Sequence, residues 1–338
     1  MKTSTIGLDL AKNVFQVHGA DSASSVIFRR QLRRNKVFEF FAKQPPCMVA
    51  MEACGGAHYW GREIGKLGHT VRLIPPVYVK PFVKRQKTDA ADAEAICEAA
   101  QRPTMRFVAV KSAGQQASAA VFRVRNLLVR QRTQAINALR GNLMEHGIVV
   151  AKGPAYVTKL IAYVDDPASV LSQPARVALA MLVDTLKELN LKIRQLDGEI
   201  GRRAGEDARR LATIPGVGPV TATAVLALAP GTATFSRGRD FAAWLGLTPR
   251  QHSTGGKQKL SAISKMGDRT LRRLLILGAC AVVRHAVRRG ISERLWLGRM
   301  LARKPRMLVI VALANKLARI VWALMAKGGI YRAPVAAA

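Results

Sequence analysis

The first hundred residues alternate short apolar runs with turn signals. Thr5–Leu10, Asn13–Gly19 and Ser25–Arg30 read as three successive strands, close enough to pair antiparallel. Lys36–Lys43 follows as a short helix, and Cys47–Met51 as a buried strand. Residues 57–67 carry a helical pattern, and Thr70–Ile74 is a strand stopped by Pro75 and Pro76. Thr88–Ala100 is helical, with Thr88 or Asp89 as its N-cap. Strands followed by alternating helix and strand predict an α/β domain over residues 1–110.

The period then lengthens. Residues 113–146 carry Val121, Val124, Leu128, Leu139 and Leu143 near helical spacing. Leu179, Leu182, Leu186, Leu189, Ile193, Leu196 and Ile200 alternate gaps of three and four, the seam of a coiled coil. Its partner is either residues 113–146 folded back or another subunit. Gly147, Gly153, Pro154, Pro167 and Pro174 make residues 147–175 a reversal or linker. The pattern thus divides the chain into an α/β domain (1–110), a helical coiled-coil region (111–206) and a mostly helical, all-α C-terminal domain (207–338). The apolar stretch Met307–Met325 is broken by Asn315, Lys316 and Arg319, so it predicts a core or interface helix and no membrane span.

Charge narrows the function. The 338 residues hold 54 Lys and Arg against 21 Asp and Glu, a net charge of +33. An ordinary metabolic enzyme has no use for that excess, and self-repulsion would destabilise it. An apolar fraction of 49% excludes a disordered chain. A polyanion, nucleic acid first and an anionic membrane surface as its rival, is the expected partner. Residues 211–338 contain 21 basic and only 3 acidic residues. Cys47, Cys54, Cys97 and Cys280 form no CxxC pair and read as free thiols of a reducing cytosol. The N-terminal residues carry Asp9 and Lys12 and no apolar core, so no secretory signal is expected there.

Against this background four acids stand out. Asp9 lies in Ile6-Gly7-Leu8-Asp9-Leu10, and a carboxylate among apolar strand residues must be solvated, paired or bound to metal. Glu52 ends a strand in Met51-Glu52-Ala53-Cys54-Gly55. Asp89 and Asp92 share one helix face in Lys87-Thr88-Asp89-Ala90-Ala91-Asp92-Ala93, where they repel unless a cation sits between them. The four can hold Mg²⁺, or Mn²⁺, and two such ions clamp a phosphodiester. Taken singly, Asp89 reads better as a helix cap, Asp92 as a first-turn charge and Glu52 as the partner of an arginine; the four together with the strand order favour the metal site.

The basic third carries two further motifs. Ile214-Pro215-Gly216-Val217-Gly218-Pro219 is a turn between helices, and the backbone N–H groups around Gly216 and Gly218 can hold a DNA phosphate, as in a helix-hairpin-helix. Leu245–Lys257, then Ile263–Arg269, read as a polar, Gly-rich loop between apolar segments, holding His252, Ser253, Thr254, Gly255 and Gly256. Ser253 beside glycines is open to a phosphate. Arg250, Lys257 and Lys265 can stabilise charge on the phosphorus, and His252 can orient or deprotonate the hydroxyl. A phosphate-binding nest without covalent chemistry fits the same residues. Arg269, Arg272 and Arg273 open the next helix as further phosphate contacts. Aromatic residues are only 6% of the chain, so base stacking is expected to be minor.

The motifs Gly7-Leu8-Asp9-Leu10-Ala11-Lys12, Met51–Gly55 and Lys87–Ala93 resemble the DEDD motifs of the insertion-sequence 110 family of transposases, including its 1111-like subgroup and the related Piv DNA invertases. The loop at Ser253, followed by Ile263-Ser264-Lys265-Met266-Gly267, resembles that family's C-terminal serine domain. The resemblance covers nearly the whole chain. It implies a RuvC-like N-terminal domain of the ribonuclease H fold, with Asp9, Glu52, Asp89 and Asp92 as the catalytic metal tetrad. It implies that a serine, here Ser253 with Thr254 as the fallback, attacks DNA and forms a phosphoserine. It also implies a homodimer or homotetramer acting on double-stranded DNA in the bacterial cytoplasm, at the nucleoid, with a structured non-coding guide RNA. Two other functions remain open at this point. One is a hydrolytic junction-resolvase-type nuclease using the same tetrad, and the other is a non-catalytic nucleic-acid-binding protein.

Overall fold

A computed structural model describes residues 3–84 and 88–333. Lys87, which opens the third acidic motif, lies outside the described residues. The chain divides into two compact units, Met1–Ala117 and Ser118–Ala338.

The first unit is built on one sheet. Its elements in order are β1 (Thr5–Asp9), β2 (Val14–Ala20), β3 (Val26–Arg33), α1 (Val37–Ala42), β4 (Met48–Glu52), α2 (Ala57–Lys66), β5 (Thr70–Ile74), α3 (Pro76–Val79) and α4 (Asp89–Ala100). The strand order is β3-β2-β1-β4-β5. β1, β2 and β3 pair antiparallel, while β4 and β5 add parallel to β1. This mixed sheet is consistent with a ribonuclease H-like domain. Alternation along the strands sorts the two faces. Ile6, Leu8, Val49 and Met51 pack with Phe41, Trp60 and Ile64 under α1 and α2. Ala50 packs with Ile96 and Ala99 of α4 on the other face.

Small residues let α4 lie close to the sheet. A Cβ on Gly7 would come within 2.7 Å of the Cys97 backbone nitrogen and would also strike the Ala93 carbonyl. The Cys97 thiol lies 3.8 Å from the Thr5 carbonyl, so α4 runs back along β1 from its Asp9 end. Thr88 is the N-cap: its Oγ1 accepts from the Ala91 N–H at 3.2 Å. Asp89 is thereby the first helical residue.

The long helix α5 (Ala113–Glu145) begins in the first unit and lies mostly in the second, followed by α6 (Val157–Asp165) and α7 (Gln173–Arg202). Leu139 and Leu143 share a core with Leu179 and Val183. Farther along, Arg132 donates to Asn190 at 3.4 Å, Arg125 pairs with Asp197 at 2.5 Å, and Arg203 reaches Ser118 at 3.3 Å. The numbers rise on one helix as they fall on the other, so α5 and α7 form an antiparallel hairpin within the chain. Residues 147–175 are not all linker, because α6 buries Leu160 and Val164 against the hairpin's far end.

The remaining elements are α8 (Glu206–Ala212), α9 (Pro219–Leu228), α10 (Gly238–Trp244), β6 (Pro249–Thr254), β7 (Lys257–Ile263), α11 (Arg269–Arg289), α12 (Trp296–Arg303) and α13 (Arg306–Lys327). Val225 of α9, Leu271, Leu275 and Ala279 of α11, and Leu313, Leu317 and Val321 of α13 share one core. α13 is long and apolar enough to cross a membrane, yet it packs Val309, Leu313, Leu317 and Val321 into this core. Its polar residues are used at the packing surface: Asn315 donates to the Leu247 carbonyl at 3.2 Å, and Lys316 lies 4.4 Å over the Trp296 ring. All four cysteines are free thiols.

Candidate active site

The sheet register gathers the acids. Leu8 pairs with Met51 across the parallel strands, so Asp9 and Glu52 sit side by side where β1 and β4 end. Asp9 shares the face of Gly7, and Glu52 shares the face of Ala50, by the two-residue alternation. Both therefore face α4, whose first turn carries Asp89 and Asp92. Asp9 is half-buried, and its carboxyl is pushed up to about 6. Burial is the main cause, followed by the charges of Asp92, Asp89 and Glu52. Asp92 and Glu52 are half-buried, and Asp89 is exposed.

The donor set is all carboxylate, which suits a hard divalent cation. The Asp9 carboxyl is raised first by burial and then by its three negative neighbours, and such a cation would relieve the second of these. Among the described residues, no three His, Cys, Asp or Glu side chains stand in a ready-made metal-holding group. The arrangement is thus a gathering of like charges on one face rather than a closed cage.

The stretch around Ser253 is not a loop but a two-stranded ribbon. Thr254 pairs with Lys257 around a Gly255-Gly256 turn whose φ angles are +55° and +75°. Two consecutive positive φ values are what a tight two-residue hairpin turn demands, and glycine supplies them without strain. Both strands are exposed along almost their whole length. Register separates the candidate groups. Ser253 faces Gln258, and Gln251 faces Leu260 on the same side. His252 faces Lys259 and Thr254 faces Lys257 on the opposite side. His252 and Lys257 therefore do not flank the Ser253 hydroxyl. The group that does is Gln251, whose Nε2 donates to Ser253 Oγ at 3.2 Å. Arg250 reaches the Ser264 carbonyl at 3.4 Å, and Lys265 and Arg269 are exposed.

Two of the arginines read as phosphate contacts have other work. Arg272 is buried, and its Nη1 donates to the carbonyls of Leu245 and Met266 at 3.0 and 2.6 Å. It clamps the turn after α10 to the segment leading into α11. Arg273 donates to the Asn126 side chain, fastening α11 to α5. Burial lowers the pKa of both guanidinium groups. Each charged hydrogen bond of this kind is worth about 1.5–3 kcal/mol. Arg272→Ala is expected to lower stability to urea strongly, and Arg272→Lys to restore it only in part. An Arg272→Ala chain that unfolds like the original but loses DNA affinity would return the residue to the phosphate contacts.

Gly216 and Gly218 also differ in role. α8 and α9 are joined by the short turn Thr213–Gly218, and Gly216 sits there at φ +87°. A Cβ on Gly216 would come within 2.8 Å of the Gly278 carbonyl, and one on Gly278 would strike the Gly216 carbonyl. Gly216 is thus the crossing point of the turn with α11. Gly218 caps α9 and has open space around it.

Comparison with known proteins settles the family. Residues 6–148 match the DEDD transposase domain of the IS110 family, and residues 208–293 match the transposase IS116/IS110/IS902 family. The chain is 53% identical over 337 residues to a probable family 20 transposase of Pseudomonas aeruginosa, covering 98% of this chain and 99% of that protein. It belongs to the IS110/IS116/IS902 family of transposases. The transposase for insertion sequence element IS1328 of Yersinia enterocolitica is 42% identical over 96% of this chain and 98% of its own length. The transposase for IS1111A of Coxiella burnetii is 40% identical over 97% of this chain and 91% of its own length. As an insertion-sequence transposase, the chain has DNA as its substrate and the cutting and rejoining of DNA as its class of chemistry. All four clustered acids of this transposase fall within the DEDD match, and Ser253 falls within the second.

Sequence reasoning missed Gly7 and Gln251. The signal for Gly7 was present: a glycine two residues before a strand carboxylate marks close approach of another backbone. Gln251 could be found only after the hairpin register was known.

Proposed function

We propose that this transposase cuts and rejoins DNA strands at the ends of its element through a phosphoserine. The observation that carries the reading is the gathering of Asp9, Glu52, Asp89 and Asp92 on one sheet face. These residues would hold Mg²⁺ or Mn²⁺, which when bound polarises a phosphate oxygen and neutralises its charge. Ser253 Oγ attacks the phosphorus, a serine–phosphate ester forms, and the bond to the departing DNA oxygen breaks. That oxygen takes up a proton and leaves as a hydroxyl. A hydroxyl of the second strand then attacks the ester and releases serine, so no bond energy is lost. Donation from Gln251 to Ser253 Oγ leaves the hydroxyl proton free to depart and stabilises the developing alkoxide. Arg250, Lys265 and Arg269 are the exposed cations near the ribbon's base that suit the phosphate. Thr254 lies on the cationic face with Lys257 and Lys259 and is the alternative nucleophile.

The same proposal includes the finer parts of the assembly. The α8–α9 turn acts as a helix-hairpin-helix that takes a DNA phosphate at Gly218. The α5–α7 hairpin is the coiled coil, and its exposed Leu127, Met181 and Leu191 support pairing into a dimer or tetramer. The family resemblance implies a structured guide RNA, a 1111-like subgroup, a kinship with Piv invertases and a place at the nucleoid. The large positive charge permits an RNA partner but does not require one.

Ser253→Ala tests the mechanism. The original chain is expected to trap as a covalent protein–DNA adduct on denaturing gels, and Ser253→Ala to give neither adduct nor rejoined strands. Strand cleavage retained by Ser253→Ala, with water-derived ends, would make the chain a hydrolytic nuclease instead.

A further inference from the structure

At the end of the sheet that carries Asp9, the α1 and α2 side holds a cavity of about 600 Å³. Asn13, Arg33, Arg34, Asn35, Tyr59 and Trp60 line it. Its contents match the chemistry that recognises an unpaired base. Such bases stack on aromatic rings or guanidinium planes, and amide side chains read their edges. The Arg34 guanidinium lies 5.2 Å over the Trp60 ring and 5.7 Å over the Phe15 ring, and its Nη1 donates to the Lys12 carbonyl at 3.3 Å. It is thus a fixed plane with exposed surface. Tyr59 stands edge-on to Trp60 with 41% of its surface open. Asn13, Asn35 and Arg33 are exposed around the plane. The chain has only 4 Trp and 5 Tyr, so one of each at the same cavity is a concentration of scarce residues.

Asp9 pairs with Gln16, and Val14 at the cavity lies two residues beyond on the neighbouring strand. Strand rise and spacing separate the two backbones by roughly 8 Å. The carboxylates face α4 and the cavity opens on the α1 and α2 side, so the two share one end of the sheet but lie on its opposite faces.

We propose that this cavity captures an unpaired nucleobase. The binding does not rest on the reading of Asp9 and its neighbours as the phosphodiester site. The base stacks against Tyr59 and the Arg34 plane, Asn13 and Asn35 read its edge, and Arg33 meets its phosphate. A separated strand is thereby held at this end of the sheet.

The test uses the full chain and short single strands in salt high enough to weaken backbone-only binding. One set carries a single 2-aminopurine, and a matched set carries an abasic site at that position. Stacking of one base predicts roughly 5- to 150-fold tighter binding of the base-containing strand. Tyr59→Ala and Asn35→Ala are expected to erase that advantage while duplex affinity stays the same, and Tyr59→Phe to keep it. DNA and RNA strands run side by side identify which of them supplies the base. Equal binding of both sets, or an equal loss on both sets with Tyr59→Ala, overturns the proposal. Because no strand is cut, the result is independent of whether the carboxylates prove catalytic.

Discussion

Asp9→Asn lowers strand transfer by roughly a thousandfold or more, while the variant still binds DNA. Metal-assisted charge stabilisation at a phosphoryl centre supplies several kcal/mol, and each 1.36 kcal/mol is tenfold in rate. The central carboxylate of the four is the one whose loss forfeits most of that. Asparagine keeps the shape and hydrogen-bonding reach of aspartate and removes only the charge. The free protein should not suffer, because burial first, and then the repulsion of three like charges, raises the Asp9 carboxyl. In metal-free buffer the variant's Tm is therefore expected to equal or exceed that of the original chain. The check is an excision assay in which the chain is supplied to its own intact element, beside a gel-shift assay and a melt. Undiminished excision by Asp9→Asn would leave the gathered acids as surface charge and return the chain to a binding role.

Gly7→Ala should damage stability and chemistry together. The added Cβ meets backbone on α4, at the Ala93 carbonyl and the Cys97 nitrogen, and no flexible side-chain end can yield. The helix must move away from the sheet. Overpacking of this kind costs about 1–3 kcal/mol, or several degrees in Tm for a unit of this size. The shift also carries Asp89 and Asp92 away from Asp9 and Glu52. Strand transfer measured well below the melt should therefore remain impaired in protein that is fully folded. Melting and excision data on the same preparation separate the two effects. A Gly7→Ala chain with unchanged Tm would mean that α4 does not approach β1 as closely as described.

Much of this architecture was legible from pattern alone. Thr70–Ile74 matches the observed strand end to end, and Thr5–Leu10 and Cys47–Met51 differ from theirs by a residue or so, because alternation and proline stops are local signals. The strand ends that set Asp9 beside Glu52, and the helix start that carries Asp89 and Asp92, were also legible. What escaped was whatever depended on register or on tertiary partners. The ribbon at Ser253 reads as a loop because its strands are polar on both faces and show no apolar alternation. Arg272 and Arg273 read as phosphate contacts because nothing local reveals the carbonyls and the asparagine that engage them. The seam from Leu179 to Ile200 announced a partner without naming it, and residues as distant as Ser118 and Arg203 identify it as α5. α6 was hidden by the prolines and glycines around it.

The α5–α7 hairpin sets a length as well as a contact. From Ala119 to Leu143 the helix rises roughly 36 Å at 1.5 Å per residue. That distance can change only in steps. Removing seven residues from each arm takes out two turns, shortens the hairpin by about 10 Å and leaves every seam residue facing inward. Removing two from each arm turns the far end by about 200° about the axis and points Leu139, Leu143, Leu179 and Val183 toward water. Relatives with longer or shorter hairpins should therefore differ by matched near-whole turns, heptads first. The reach of this part of the transposase is graduated in units its sequence already displays.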